Sequence, residues 1–560
     1  MRRSLRSLAL FMALAAAACL PPVDAADLVL RNGTIVTVDP VQPEAEAIAV
    51  VGDRIVAVGR FTELERYVGD QTQVIDLDGA LAIPGFIEGH GHLLGLGDAQ
   101  LQFDLSGAVS WDEIVSLVAD AAQRARPGEL VRGRGWHQDK WVPPPEPSIE
   151  GLPLHDALSA VSPDNPVVLT HASGHASFAN AYAMALAGVD ASTPDPPGGT
   201  IVRDADGAPT GAFRETASGL LAAARRDATP PDPRRQAALA IRQLLEHGIT
   251  SFHDAGASFS TVDLYRELLD EGTLDVRLWV MLRASNEQLA ARLADYRTVG
   301  AGNHHLTVRG IKHQIDGALG SHGAWLLEPY EDLGDSVGLN TTPIGVIEET
   351  ARLALEHEYQ LAVHAIGDRA NHETLDLFAR AFATVDDGSA RRWRIEHAQH
   401  LHPDDVRRFS ELGVIASMQG KHATSDGSWV PDRLGEKRTE EGAYVWQRLL
   451  EADAVVVNGT DAPVEPVDPL LSFQSTVSRR LVDGSVFLPD QRLSRLEALE
   501  TYTINAAYAA FEEDIKGSLS PGKLADITVL SKNILTIPEE EIPTAEVLYT
   551  IVGGRVRYRR

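Results

Sequence analysis

The stretch PGFIEGHGH, residues 84–92, decides the fold. Phe86 and Ile87 begin an apolar, β-prone run, and the run leads straight into His90 and His92. Residues i and i+2 of a strand face the same side about 6 to 7 Å apart, so the two imidazoles can grip one ion together. Four further segments put a metal-binding residue type where a buried strand would end: GIKHQID with Lys312, VHAIGD with His364, RIEHAQ with His397 and NGTDAP with Asp461. A catalytic metal centre inside an eight-stranded α/β barrel accounts for all five, because such barrels build their sites at the C-terminal ends of their strands.

Working outward, the sequence offers a full set of barrel strands: FIEGHGH, GITSFHDAG, VRLWVML, VRGIKHQID, LAVHAIG, RIEHAQ, VIASMQG and AVVVNGTD. Helical stretches such as RRQAALAIRQLLEHG, EETARLALEHE and HPDDVRRFSELG separate several of them, the βα rhythm of a parallel barrel. The expected fold is therefore a (β/α)8 TIM-like barrel over 84–515. Its spacing is broken between the first two strands by an insertion at about 102–235, expected to act as a lid or specificity region. Within it, WHQDKW and VPPPEPS read as loop punctuation without assigned chemistry.

The two ends of the chain share a different pattern. DLVLRNGTIVTVD, AIAVVGDRIVAVG and TQVIDLDGALAIPG alternate as short strands with NG and GD turn signals, and GSLSPGKLADITVL and AEVLYTIVGGRVRYRR repeat that character at the far end. Residues 26–83 and 516–560 are expected to build one small β-sandwich domain. Ahead of them, residues 1–25 carry a basic start, a short apolar stretch and small residues at a cleavage position, which predicts a signal peptide and export, with the periplasm as destination. The stretch is too short for a comfortable membrane span. The single cysteine, Cys19, lies in this segment, so a cleaved protein must bind metal through N and O donors. The AAAC sequence keeps a second reading open, a lipoprotein anchored through Cys19.

With 560 residues and 44% hydrophobic content, the chain can bury a large core. A formal net charge of −29, spread over the chain, argues against nucleic acid and anionic membrane surfaces as partners. The partner expected is a small-molecule substrate.

PGFIEGHGH, HASGHASFANAYAMALAG, GGTIVRDADGAPTGAFRE, IKHQIDGALGS, LAVHAIGDRAN, RIEHAQH and NGTDAPVEP, in this order, resemble the amidohydrolase superfamily, and within it the YtcJ-like branch near the N-substituted formamide deformylases. The likeness covers nearly the whole chain after residue 25. Two departures stand out: SMQGKHATSDGSW has no proline just after the glutamine, and the last strand has TD where SD is common.

The resemblance implies a ligand set. His90 and His92 would hold the more buried metal with Asp461, and His364 and His397 the second. Lys312, its ammonium repelled by two divalent cations, would add carbon dioxide and bridge them as a carbamate. It implies two ions, Zn2+ first, with Mn2+, Fe2+ or Co2+ as alternatives, and metal-activated hydroxide cleaving a C–N bond of an N-acyl, N-formyl or related small substrate. Asp461 would serve as the catalytic acid/base. His175, Trp325 and His422 fall in segments expected to roof the pocket and contact substrate. Barrels of this superfamily often associate, which makes a homo-oligomer an expectation.

Each assignment has a plainer rival. His253, His313 and His400 are read as hydrogen-bonded core or supporting residues, Asp461 could cap a turn, and Asp316 and Gly317 could simply shape the turn after the fourth strand. The same barrel also supports an esterase or lactonase, or a single-metal deaminase. Outside catalysis stands an envelope ligand-binding protein with a decayed site.

Overall fold

The computed structural model describes residues 25–226 and 231–560, so the signal-peptide reading and Cys19 lie, apart from Ala25, outside the described residues. Eight parallel strands follow one another around a barrel: β1 (Phe86–Gly91), β2 (Ile249–Ala257), β3 (Arg277–Leu282), β4 (Leu306–Gln314), β5 (Gln360–Ala365), β6 (Arg394–His397), β7 (Ile415–Gln419) and β8 (Val456–Gly459). Each coincides with a segment expected from the sequence. The ring closes between its ends: Gly91 bridges Ala462 in parallel, Asp461 N donates to the His90 carbonyl at 2.8 Å, and His92 N donates to the Ala462 carbonyl at 2.8 Å. Gly89 permits this closure, since a Cβ there would lie 2.4 Å from Val457 Cγ1 and 2.5 Å from the Asn458 carbonyl.

The strands read as continuous apolar runs because helices cover them outside and side chains fill the barrel inside; every residue of β1 and of β3 is buried. The helix Pro233–Glu246 shows how the outer layer is specified. Asp232 caps it by accepting from Arg234 N, Pro233 starts it, and Ala237, Ala240, Ile241, Leu244 and Leu245 form the stripe that faces the barrel.

Strands from both chain ends form a second, mixed sheet of eight strands. Its junction is Leu81–Pro84, which pairs in parallel with Leu28–Val36 and antiparallel with Ile527–Leu530, joining the halves of the expected β-sandwich into one hydrogen-bonded sheet. Residues of both halves, among them Leu30, Ile48, Ala82, Ile527 and Ile551, share one apolar core.

The insertion is a folded unit rather than a long loop. Six strands between Phe103 and Glu215 make a mixed sheet with apolar clusters of its own, one of them holding Trp136 and Trp141 stacked at 5.9 Å. Its strands Val167–His171 and Ala176–Ala179 pair antiparallel, and the turn between them carries Ser173 and His175 into the cavities above the barrel mouth. Among the described residues no helix is long and apolar enough to cross a membrane.

Candidate metal centre and its cavities

The C-terminal ends of the strands bring five histidine and lysine side chains together with one aspartate. His90, His397 and Asp461, all buried, each offer a ligand atom within 4.8 Å of the others. His92 Nε2 lies 3.2 Å from Asp461 Oδ1, and His90 Nε2 lies 3.5 Å from the same oxygen. Lys312 Nζ, at the end of β4, stands 3.3 Å from His90 Nε2. The His364 and His397 rings meet edge to face with centroids 4.4 Å apart. All six residues expected as metal ligands are therefore in one place.

The supporting hydrogen bonds fix which nitrogen each ring presents. His90 Nδ1 bonds the carboxylate of buried Glu396, which Arg394 Nε holds from behind at 2.8 Å, and His397 Nδ1 meets Gln419 Oε1 at 2.8 Å. Both rings thus turn Nε2 to the centre. Asp461 (φ 53°) and His397 (φ 79°) sit in left-handed backbone conformations, the local strain that functional positions tolerate.

Charge states suit a cation. Burial pushes His364 and His397 far below the usual imidazole range and His90 to about 4, so all three are neutral donors. Burial would raise Asp461, but the His92 hydrogen bond and the His90 and His397 rings outweigh it and keep the carboxylate ionised. Burial draws Lys312 down to about 8, against the pull of Glu396 and Asp461. Buried His364 Nε2 has no hydrogen-bond partner, and Asp461 Oδ1 meets only the His90 and His92 rings. Neutral imidazoles, an ionised carboxylate, a lysine whose ammonium form is weakened by burial and the unpartnered His364 nitrogen together fit a divalent metal centre.

Several participants escaped the sequence reading. Glu215, from the insertion strand Pro209–Glu215, holds His175 Nδ1 at 2.7 Å, and the His175 ring lies 5.1 Å from His364. Burial opposes a charge on His175, yet Glu215 overcomes it and raises the group above the ordinary histidine value. Asp316 does more than shape a turn: it lies 3.4 Å from His364 Nε2, accepts from the backbone N–H groups of Trp325, Ile366 and Gly367, and is pushed up to about 8 by burial. Glu88, two residues before His90 and on the same strand face, is buried and accepts from Thr460 N at 2.6 Å, beside Asp461.

Two cavities that share lining residues open on the centre. The larger, about 550 Å³, reaches Lys312, His364, His397 and Asp461. The smaller, about 70 Å³, is lined by His397, His422, His137, His171, Leu319 and Trp429, among others. His175 belongs to both, and His422, whose ring nitrogens are buried without partners, lies 6.4 Å from His397. WHQDKW, read as loop punctuation, instead supplies His137 and Lys140 to the smaller cavity. Trp325 lines neither cavity; its ring stacks under the Arg369 guanidinium at 4.6 Å while its backbone N–H serves Asp316. His253 bonds Arg394 at 3.2 Å, His313 accepts from Gln314 N at 3.0 Å, and His400 packs edge-on against Tyr444, all outside the two cavities.

The profile of the amidohydrolase family matches residues 73–558. The chain belongs to the amidohydrolase family. As an amidohydrolase it is 35% identical to the protein LONG AFTER FAR-RED 3 of Arabidopsis thaliana over 95% of this chain and 92% of that one. It is 31% identical to the amidohydrolase YtcJ of Bacillus subtilis, covering 95% and 99% of the two chains, and 28% identical to N-substituted formamide deformylase of Arthrobacter pascens, covering 95% and 98%. The crystal structure of an uncharacterised metal-dependent hydrolase from Pyrococcus horikoshii superposes with a TM-score of 0.72 at 26% identity, over 92% of this chain and 99% of that one. Fold and family therefore agree with the barrel and the resemblance legible in the sequence.

Proposed function

We propose that this amidohydrolase cleaves the C–N bond of a small amide, N-acyl or N-formyl compound at a centre of two divalent metal ions, zinc by preference. The observation that carries the reading is the position of Lys312, 3.3 Å from His90 Nε2 and drawn to about 8, beside the converging His90, His397 and Asp461. His90, His92 and Asp461 would hold one ion, His364 and His397 the other, with Lys312 joining them as a carbamate. Divalent ions so held supply Lewis-acid polarisation of the scissile carbonyl and acidify the attacking water.

The chain's own residues then divide the proton work. Asp461, kept ionised in a buried setting, accepts a proton of the attacking water as the C–O bond forms, and returns it to the nitrogen as the C–N bond breaks. A carboxylate and an amine result. His175, whose protonated form Glu215 favours, would donate to the substrate oxygen from the side of the insertion. The name of the Arthrobacter pascens relative, an N-substituted formamide deformylase, supports the choice of a C–N bond. The proposal includes export to the periplasm with residues 1–25 removed, on the strength of their basic and apolar pattern; retention of Cys19 as a lipid-bearing residue is the competing outcome of mass analysis.

Elemental mass spectrometry of the purified mature protein, with no metal added, tests the centre. Two equivalents per chain are expected; one equivalent that resists reconstitution overturns it. A panel of amides, esters and lactones tests the bond, with Asp461→Asn expected to lose about 10²- to 10⁴-fold in rate while metal is retained.

A further inference from the structure

The larger cavity carries a charge pattern at odds with the rest of the molecule. The chain has 50 Lys+Arg against 79 Asp+Glu, yet Arg132, Arg134, Arg225 and Arg283 all line this one cavity. Asp98, a carboxylate of the same wall, is already saturated: it pairs with Arg132 and accepts from Gln102 Nε2 at 2.6 Å and Gln236 Nε2 at 3.0 Å. Glu215 is committed to His175, and Asp461 to His90 and His92.

Arg225 has no carboxylate partner among the described residues, and Arg134 and Arg283 are left over beside it. Arg134 donates to the carbonyls of Ala172 at 3.1 Å and Pro463 at 3.4 Å, and Arg283 to Gln314 Oε1 at 3.0 Å; among the described residues neither meets a carboxylate. They come from different walls, Arg134 from the insertion strand Val131–Trp136 and Arg283 from the residue after β3. Arg134 is half-buried and Arg283 exposed on the cavity wall, so both guanidiniums stay open to an anion that enters. The remaining wall adds hydroxyls and amides, Thr170, Thr341, Thr342 and Gln314, rather than an apolar slot. A guanidinium is the side chain best suited to a carboxylate, which it can bind through two parallel hydrogen bonds.

We propose that the larger cavity is an anion subsite and that the substrate is an amide bearing a carboxylate remote from the scissile bond, received by Arg134 and Arg283. The inference rests on the C–N hydrolysis reading and specifies its substrate. Such a ligand would span barrel and insertion, which explains why cations from both face the same space.

The test separates the subsite from the metal centre by leaving one carboxylate for the metals in every probe. Glutarate and its half-amide, 5-amino-5-oxopentanoate, are titrated calorimetrically into the metal-loaded protein. Glutarate is expected to bind at least about tenfold tighter, and the gap is expected to fall below about threefold in Arg134→Gln and in Arg283→Gln. Equal binding of the two probes, or a gap untouched by both substitutions, overturns the proposal. Tighter binding of 3-phosphonopropionate than of glutarate overturns the carboxylate assignment in favour of a phosphorylated ligand. If either variant fails to fold by circular dichroism, the wild-type gap must still narrow with added sodium chloride, and a salt-independent gap counts against the proposal. Turnover of N-formyl-β-alanine against its carboxamide completes the comparison. Hydrolysis of both without preference overturns the subsite, whereas a persistent binding gap with no amide hydrolysed overturns the C–N reading and leaves the subsite standing.

Discussion

At the scale of single residues, Lys312 is the position on which the centre turns. Its burial costs the ammonium form, and the drop to about 8 makes a neutral amine available near physiological pH. The proposed carbamate would form from that neutral amine and carbon dioxide, so loading of metal-free protein is expected to be faster at about pH 8.5 than at about pH 6.5 and to require bicarbonate. The dependence runs upward with pH because the folded-state value is depressed and the reactive form is the deprotonated one. Lys312→Ala is expected to reduce bound metal toward one equivalent and activity by at least about 100-fold, with partial recovery on adding acetate or propionate, whose carboxylate can occupy the vacated space. Full metal content and full activity in that variant would remove Lys312 from the centre. Metal content and rescue are read separately, so a merely misfolded variant is recognised by failing both.

At the scale of elements, the insertion and the turn after β4 meet on one side chain, Glu215. A Cβ at Gly317 would lie 2.1 Å from Glu215 Oε1, and one at Gly323 would lie 2.4 Å from the same oxygen, so two glycines clear the path by which Glu215 reaches His175. Gly317→Ala is expected to displace Glu215, to lower kcat/KM by about tenfold or more and to change Tm by no more than a few degrees. An unchanged kcat/KM would show that the Glu215–His175 pair does not serve the reaction. This junction also marks where the sequence stops being readable. Strand ends carrying His90, Lys312, His364, His397 and Asp461 were visible because hydrophobic runs and ligand types coincide in a few adjacent residues. Glu88 shares a strand face with His90 and was equally legible in principle. Glu215, Arg134 and His137 were not, because each acts from a sheet folded from residues 103–215, and nothing local in GAFRE, GRG or WHQ indicates which face that sheet turns to the barrel mouth. Trp325 lies outside the two cavities for the complementary reason: a large aromatic in a pocket-forming segment has its partner in Arg369.

At the scale of the whole molecule, stability is expected to reflect how the barrel is joined to the sheet built from the chain ends, and how buried histidines respond to acid. His137 and His400 are each held at about 3 by burial, against about 6.5 in an unfolded chain. Above about pH 6.5 both states are neutral and neither residue matters. As the pH falls from there toward about 3, the unfolded chain takes up a proton the folded one refuses, so stability is lost by up to about 1.4 kcal/mol per pH unit for each. His400 packs against Tyr444 with both ring nitrogens unpartnered, so His400→Phe is expected to flatten the acid slope by roughly one group's share in urea titrations at several pH values. An unaltered slope would mean that the ring is already protonated in the folded protein. The joint between sheet and barrel rests on a different device. Arg277, at the start of β3, sends Nε to Asp526 Oδ2 at 2.7 Å and a terminal nitrogen to Oδ1 at 3.0 Å, with both side chains at most 5% exposed. Asp526 lies just before the strand Ile527–Leu530, whose Thr528 hydroxyl in turn donates to the Gly248 carbonyl at the foot of β2. Arg277→Ala leaves the Asp526 charge buried without its partner, and breaking a buried pair in this way costs about 3 to 5 kcal/mol. The loss should fall on the junction before the metal centre, because the pair sits at the opposite end of the strands from His90 and Lys312. Thermal unfolding is therefore expected to begin at lower temperature, with the end-built sheet losing amide protection first while metal content at moderate temperature stays at the wild-type level. Simultaneous loss of metal and of sheet protection would instead show that the two ends of the barrel unfold as one unit.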